Sequence, residues 1–308
     1  MVDLSLKDKR VLVTGSTGFV GSHLVKKLTR EGANVFELSR SKTGKKVLKG
    51  NIADFSGLEL FMRNSKIQAC IHLAAESLVE LGQEDPYRTF KTNIDGTLNV
   101  LEAARVNSLE RVIVASTAHV YGKNKLPYVE KYTPRPSRPY ETSKACTDLI
   151  AQSYADTFNL PVLVPRFVNI YGPGDLNFSR LIPKTIQAVL SGETPKMWGG
   201  EALRDYLFIE DALNAYVKLL SIPLKIIKDN RIFNFGSGNK ASVEAIIRKI
   251  IAISGKNLSI TQIQDERPLE IEAQYVSFSK ARKLLGWNPR TDLDVGLGKT
   301  IKWYAGNR

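Results

Sequence analysis

The chain has 308 residues, enough for about two domains of roughly 150 residues each, or one large α/β domain with an appendage. Hydrophobic residues make up 43% of it and charged residues 24%, which excludes global disorder, a collagen-like repeat and a simple coiled coil. Its 44 Lys and Arg against 31 Asp and Glu leave a formal net charge of +13, which raises nucleic acid, an acidic membrane surface or an anionic small molecule as partner without choosing among them.

The first half alternates short apolar runs with longer helical patterns. Strands are predicted at 11–13, 34–38, 46–48, 69–73, 111–116 and 161–166, and helices at 19–30, 58–64, 89–105 and 140–158. Apolar strands separated by helices predict a doubly wound parallel sheet covered on both faces, an α/β fold. The pattern loosens at Tyr171-Gly172-Pro173-Gly174-Asp175, a turn sequence. Helices follow at 182–190, 210–219, 243–252 and 279–284, and Phe233-Asn234-Phe235-Gly236 reads as a late strand returning to the first sheet.

Two cysteines, Cys70 and Cys146, make neither a disulfide framework nor a metal site, and both are expected as buried small apolar groups in a reducing compartment. No run of 18 apolar residues predicts a membrane span, and the start lacks the basic and apolar regions of a signal peptide, so a cytoplasmic protein is expected. The basic cluster at 42–49 reads as a solvated loop, and no basic stripe interleaved with aromatics predicts nucleic-acid binding.

Thr14-Gly15-Ser16-Thr17-Gly18-Phe19-Val20-Gly21 ends the first strand and opens the first helix. Glycines let the backbone turn tightly against a pyrophosphate, and the helix N-terminus offers free N–H donors and partial positive charge. Strand before, helix after and a second strand at the expected distance predict dinucleotide binding by Gly15, Thr17, Gly18, Phe19, Val20 and Gly21. An acidic residue at the end of the second strand selects NAD; here Ser39-Arg40 stand there. A hydroxyl and a guanidinium suit a 2′-phosphate, so the cofactor expectation is NAD(P) with a lean to NADP, against the alternative that Arg40 only stacks on adenine. Asn51 and Ile52 are expected to flank the adenine, and Leu73, Ala74 and Ala75 to pass along the phosphates.

Tyr140 and Lys144 stand four residues apart, on one face of a helix. A nearby ammonium favours the phenolate, and lowering a phenol by about 3 units is worth roughly 4 kcal/mol. Tyr140 is therefore expected as a base for a substrate hydroxyl, with Thr117 placing its own hydroxyl on the same oxygen.

With the glycine turn, these residues resemble the extended short-chain dehydrogenase/reductase family, in its nucleotide-sugar epimerase/dehydratase branch. The resemblance covers the chain from Val11 to about Pro289 and includes His72-Leu73-Ala74-Ala75, the stretch 93–104 beginning at Asn93, 166–172, Arg204-Asp205-Tyr206 and Ser279-Lys280-Ala281. It implies a Rossmann domain at 1–170, with returning segments near 205–240, and a smaller substrate-binding region over 171–308. It implies Tyr140 as base, Lys144 as the residue holding the nicotinamide ribose, Thr117 as hydroxyl partner and Asn93 at the cofactor. It also implies Asn169, Arg180, Arg204 and Arg267 on the nucleotide and diphosphate of a nucleotide-sugar substrate, in a cytoplasmic homodimer.

The stretch 177–183 after Gly174-Asp175-Leu176 looks most like CDP-glucose 4,6-dehydratases. Those enzymes generally carry an acidic residue just after the Thr, where this chain has Ala118 and His119. An alanine moves no proton; His119 is either a proton carrier or a packing residue. Glu76 is either a sugar contact or a solvated carboxylate. The departure favours a C4 epimerase working through a 4-keto sugar, with a 4-keto-sugar reductase or dehydrogenase and a 4,6-dehydratase as alternatives.

Overall fold

The computed structural model describes residues 5–263 and 271–307. Its first half runs β1 (Arg10–Thr14), α1 (Phe19–Arg30), β2 (Asn34–Ser39), β3 (Val47–Lys49), α2 (Phe55–Asn64), β4 (Ala69–His72), α3 (Val79–Glu84), α4 (Pro86–Phe90), α5 (Gly96–Val106), β5 (Arg111–Val114), β6 (Ser116–Thr117), α6 (Pro139–Phe158) and β7 (Val162–Phe167). Next come β8 (Asn169–Tyr171), α7 (Leu181–Leu190), β9 (Lys196–Trp198), β10 (Leu203–Phe208), α8 (Ile209–Ser221), α9 (Leu224–Ile227) and β11 (Ile232–Phe235). The chain continues through β12 (Lys240–Ser242), α10 (Val243–Ile253), β13 (Thr261–Ile263), β14 (Ala273–Gln274), α11 (Ser279–Leu285) and α12 (Leu293–Gly306).

The main sheet has the order β11-β7-β5-β4-β1-β2-β3, with β6 pairing beside β7. Its strand pairs are parallel throughout. The chain starts in the middle at β1, winds out to β3, then crosses back to β4. The reversal opens a crevice at the carboxyl ends of β1 and β4, where such sheets bind ligands.

Alternation of side chains across the sheet explains why its strands read as unbroken apolar runs. Leu12, Cys70, Val112 and Val162 are in register across four strands, and so are Val13, Ile71, Ile113 and Leu163. The first row lies in one hydrophobic cluster and the second in the other, all fully buried. Each face therefore needs its own apolar set, as a sheet covered on both sides requires.

Several boundaries depart from expectation. The helix expected over 89–105 is broken: Pro86 opens α4, residues 91–95 form a π-helical turn, and α5 follows. The wide turn lets Asn93 reach the backbone of Glu76, which an unbroken helix would point elsewhere. Strand β11 joins the main sheet beside β7, as its sequence suggested. Strands β8, β12 and β14 gather around β10 in a second sheet, and β9 pairs with β13 in a third. These short strands have too few residues to display a period of two.

Helix α6 is tied to β7 by Asp148 and Arg166, whose Nε lies 2.7 Å from the carboxylate with both side chains at most 1% exposed. Cys70 is buried and its thiol is pushed up to about 12 by burial, whereas Cys146, between buried Ala145 and Thr147 on α6, is only half-buried, which corrects the expectation of two buried thiols. Among the described residues no helix is long and apolar enough to cross a membrane, and no group of His, Cys, Asp and Glu is arranged to hold a metal ion.

Candidate active site

The turn after β1 needs glycine for steric reasons that the structure makes explicit. Gly15 has φ +69°, and a Cβ on it would lie 2.8 Å from the backbone N of Ala74. A Cβ on Gly21 would lie 2.1 Å from the carbonyl oxygen of Gly15, so this residue lets α1 pack onto the turn. Gly18 caps α1 with extended backbone and no side-chain cap. The first N–H groups of α1 are left for an anion in the crevice.

A cavity of about 670 Å³ follows the crevice from Ser39, Arg40, Asn51 and Ile52 to Thr117, Tyr140 and Lys144. Gly15, Thr17, Gly18, Phe19, Val20 and Gly21 line it from one side and Leu73, Ala74 and Ala75 from the other. Its length and these close backbone approaches fit an extended dinucleotide.

At the far end, the Ser39 oxygen accepts from the backbone N–H of Ser41 at 3.2 Å and of Lys42 at 3.0 Å, so it shapes the turn. Its own O–H has no acceptor among the described residues. Arg40 is exposed on the rim, and Lys42 is paired with Glu37 at 2.8 Å. Asn51 turns its amide oxygen to the N–H of Ala53 at 3.1 Å, while Ile52 is buried.

Beneath the crevice lies a chain of hydrogen bonds. Thr97 Oγ1 donates to the Asn93 carbonyl at 2.6 Å, so it accepts from His72 Nε2 at 3.1 Å. His72 Nδ1 is then the acceptor for the Thr14 hydroxyl at 2.8 Å, which itself accepts from the Ala74 N–H at 3.2 Å. Burial, and then the charge of Lys144, push His72 down to about 3, keeping it neutral. Asn93 is 1% exposed and holds the backbone of Glu76, which lines the cavity. Its amide oxygen accepts from the Glu76 N–H at 2.8 Å, and its amide nitrogen donates to the Ser143 hydroxyl at 2.8 Å. Ser143 in turn donates to the Tyr140 carbonyl at 2.7 Å, so the network joins the phosphate turn to the first turn of α6.

On α6, Pro139 sits in the first turn and the Glu141 carboxylate reaches back to the cap. Tyr140 and Lys144 face the cavity together with Thr117. Burial pulls the Lys144 ammonium down to about 8, against the charge of Asp148. Burial likewise raises the Tyr140 phenol above its ordinary value, opposed by the charge of Arg180 and a hydrogen bond from Thr117, while Glu141 adds to the rise. The opposing cation is Arg180, brought in from the entry of α7, and Lys144 is itself desolvated. His119 lines the same wall and approaches Glu141.

Asn169, Arg180, Arg204 and Glu76 also line the cavity. Arg180 is paired with Asp175 at 3.1 Å, and Glu76 with Arg88 at 2.9 Å. Arg267 lies outside the described residues. Arg138, Asp175 and Tyr206 line the cavity too and are not among the residues expected there. Tyr206 stood within a motif already noted, and Asp175 beside a turn glycine, but only packing turns them inward.

Residues 11–236 match the model of the NAD dependent epimerase/dehydratase family. The chain is 29% identical over 330 residues to the Arabidopsis thaliana trifunctional UDP-glucose 4,6-dehydratase/UDP-4-keto-6-deoxy-D-glucose 3,5-epimerase/UDP-4-keto-L-rhamnose-reductase, covering all of this chain and 49% of that protein. It thus spans about half the length of that relative. It is 28% identical over 323 residues to the dTDP-D-glucose 4,6-dehydratase of Bos taurus, covering 97% of this chain and 89% of the other. Among solved structures, the Thermus thermophilus UDP-glucose 4-epimerase in complex with NAD superposes with a TM-score of 0.87 at 28% identity, covering 97% of this chain and 100% of that one.

Proposed function

The chain belongs to the NAD dependent epimerase/dehydratase family, and from that premise we propose that it is a nucleotide-sugar epimerase acting at C4 through a transient 4-keto sugar. The observation that carries this reading is the wall directly after Thr117. Thr117 and Tyr140 face the cavity with two hydroxyls for an alcohol oxygen, but the residues that follow Thr117 are Ala118, turned into the core, and His119, where a leaving hydroxyl would need a carboxylic acid. Ala118 is 2% exposed and packed into the core.

Bound in the crevice, the nicotinamide would accept a hydride from the sugar carbon and return it. The protein's share is proton handling and orientation. As its phenolate, the form that the Arg180 charge and the Thr117 hydrogen bond favour against burial, Tyr140 takes the C4 hydroxyl proton and later gives it back, and Thr117 orients the same oxygen. Lys144, buried and with no hydrogen-bond partner for its Nζ among the described residues, would hold the ribose hydroxyls. Arg180, Arg204 and Arg267 supply cations for the substrate diphosphate, with Asn169 beside them. The region over 171–308 is proposed to carry most of these substrate contacts. Arg40 and the free O–H of Ser39 support NADP over NAD. Leu98, Val106, Leu149 and Phe158 are exposed on α5 and α6, which supports pairing of two copies across these helices.

The 4,6-dehydratase activity named for two relatives is the second reading, and a 4-keto-sugar reductase the third. The deciding experiment incubates the protein with CDP-, UDP-, GDP- and dTDP-sugars and identifies products by NMR, with and without added NADPH. A C4 epimer supports the proposal. A 4-keto-6-deoxy product replaces it with the dehydratase reading, and a reduced product that consumes NADPH replaces it with the reductase.

A further inference from the structure

The proposed reaction at C4 leaves unused one proton-carrying side chain of the cavity, His119, and the carboxylate behind it. His119 lies in the short 3-10 turn that follows Thr117 and lines the same wall as Tyr140 and Lys144, its side chain 22% exposed. Its Nδ1 stands 3.5 Å from Oε1 of Glu141, whose side chain is 2% exposed. Glu141 is held from behind: Oε2 accepts from the backbone N–H of Ser137 at 3.3 Å and of Arg138 at 3.4 Å, at the cap of α6. Burial works to raise the Glu141 carboxyl, yet the hydrogen bond and charge of His119, with the Ser137 N–H and the Arg138 charge, hold it below its ordinary value. Tyr140, Tyr128 and Arg138 are the other charged or titratable groups that act on Glu141 among the described residues. A carboxylate at Nδ1 favours the tautomer that carries its proton there. The basic lone pair is then on Nε2, which has no partner among the described residues.

We propose that His119, positioned by Glu141, is a second proton carrier of this site and acts on a carbon next to a C4 ketone. The inference rests on the proposed reaction, because it is the ketone that acidifies the neighbouring C–H bonds. Neutral His119 takes the proton on Nε2. The C–H electron pair becomes the carbon–carbon double bond of an enolate, and the carbonyl pair moves to the oxygen cradled by Thr117 and Tyr140. The imidazolium turns its Nδ1–H to Glu141. Returning a proton from Nε2 to carbon restores the ketone, so nothing is oxidised or reduced and no co-reactant is needed. Ala118 offers no acid to a departing hydroxyl, so the proton returns to carbon and water is not lost.

The test supplies the ketone directly. The CDP, UDP, GDP and dTDP forms of a 4-keto-6-deoxyhexose are incubated with the protein in D₂O, and the C3 and C5 proton signals are followed by NMR. The wild-type protein is expected to exchange one of them well above the buffer rate. His119→Asn and His119→Gln, each first matched to wild type by thermal melting, are expected to lose roughly 10²-fold, the lower part of the range for a removed acid or base. Glu141→Gln removes the carboxylate that holds Nδ1–H, so kcat for exchange is expected to fall with KM unchanged and Glu141→Asp to restore part of it, a split that a merely structural role would not give. Absence of exchange with all four ketones, or exchange undiminished in both His119 variants, overturns the proposal. Epimerisation of the parent sugars without exchange overturns this proposal and leaves the C4 reading standing; exchange without epimerisation does the reverse.

Discussion

Oγ1 of Thr14 and Nδ1 of His72 lie 2.8 Å apart across the neighbouring strands β1 and β4, and the bond fixes the buried imidazole as a neutral acceptor. Burial holds His72 at about 3, against an ordinary 6.5, so the unfolded chain binds one more proton between those values. The stability this group contributes is complete above pH 6.5 and is lost as pH falls toward 3, at a slope approaching about 1.4 kcal/mol per pH unit. Urea titrations of the wild type and His72→Gln at pH 7.5, 5.5 and 4.5 measure this. The variant is expected to be about 1–3 kcal/mol less stable at pH 7.5, because its network partners are left buried, but to lose less on acidification. Equal acid slopes would rule out the assignment.

Replacing Tyr140 by Phe removes only the phenolic oxygen from the cavity wall. Turnover is expected to fall by roughly 10²–10⁴, the span for a removed acid or base, with dinucleotide affinity by fluorescence titration unchanged within a factor of a few. Unchanged turnover would remove Tyr140 from the chemistry.

Arg180 is the cation that opposes the burial of Tyr140. Without it the phenolate is less favoured, so Arg180→Gln is expected to move the limb of the pH–rate profile that reports Tyr140 to higher pH. Arg180 is also proposed to meet the substrate diphosphate, so a rise in KM should accompany the shift. A change in KM with no movement of the limb would confine Arg180 to binding.

Asp148 and Arg166 form an ion pair with almost no contact with water. Removing one partner strands the other's charge, so Arg166→Met is expected to cost about 3–5 kcal/mol of unfolding free energy. Asp148→Leu with Arg166→Met is expected to recover most of that cost, because no unpaired charge remains. Loss in the double variant as large as in the single would show that the hydrogen bonds of Asp148 to Ser116 and Gln152 carry the effect.

The exposed guanidinium of Arg40 bears on the choice between the two dinucleotides. Arg40→Glu is expected to lower affinity for NADPH relative to NADH by tenfold or more, about 1.4 kcal/mol, by placing a carboxylate where a 2′-phosphate would sit. An unchanged ratio would leave Arg40 only the stacking role.

Much of the frame was legible because its signals are local. The strand β1, the glycine turn and α1 are contiguous in sequence, and the apolar rows through Leu12 and Val13 announce a sheet buried on both faces. Tyr140 and Lys144 share a helical face by spacing alone. The break at residues 91–95 was not legible, since a π-helical turn is selected by what Asn93 meets across space: the backbone of Glu76 and the hydroxyl of Ser143. The same holds for β8, β10, β12 and β14, which form a sheet only by finding one another.

The +13 charge is the clearest case of the division. By itself the sequence determined the α/β class, the phosphate turn and the residue types available for proton transfer, because these depend on neighbours within a few positions. It did not determine which charges act on which groups. Only the tertiary structure brought Arg180 to Tyr140, turned Glu76 toward Arg88 and set Glu141 behind His119. Those pairings join residues on different elements, and electrostatic coupling depends on distance and desolvation after folding, neither of which is written in the order of the residues.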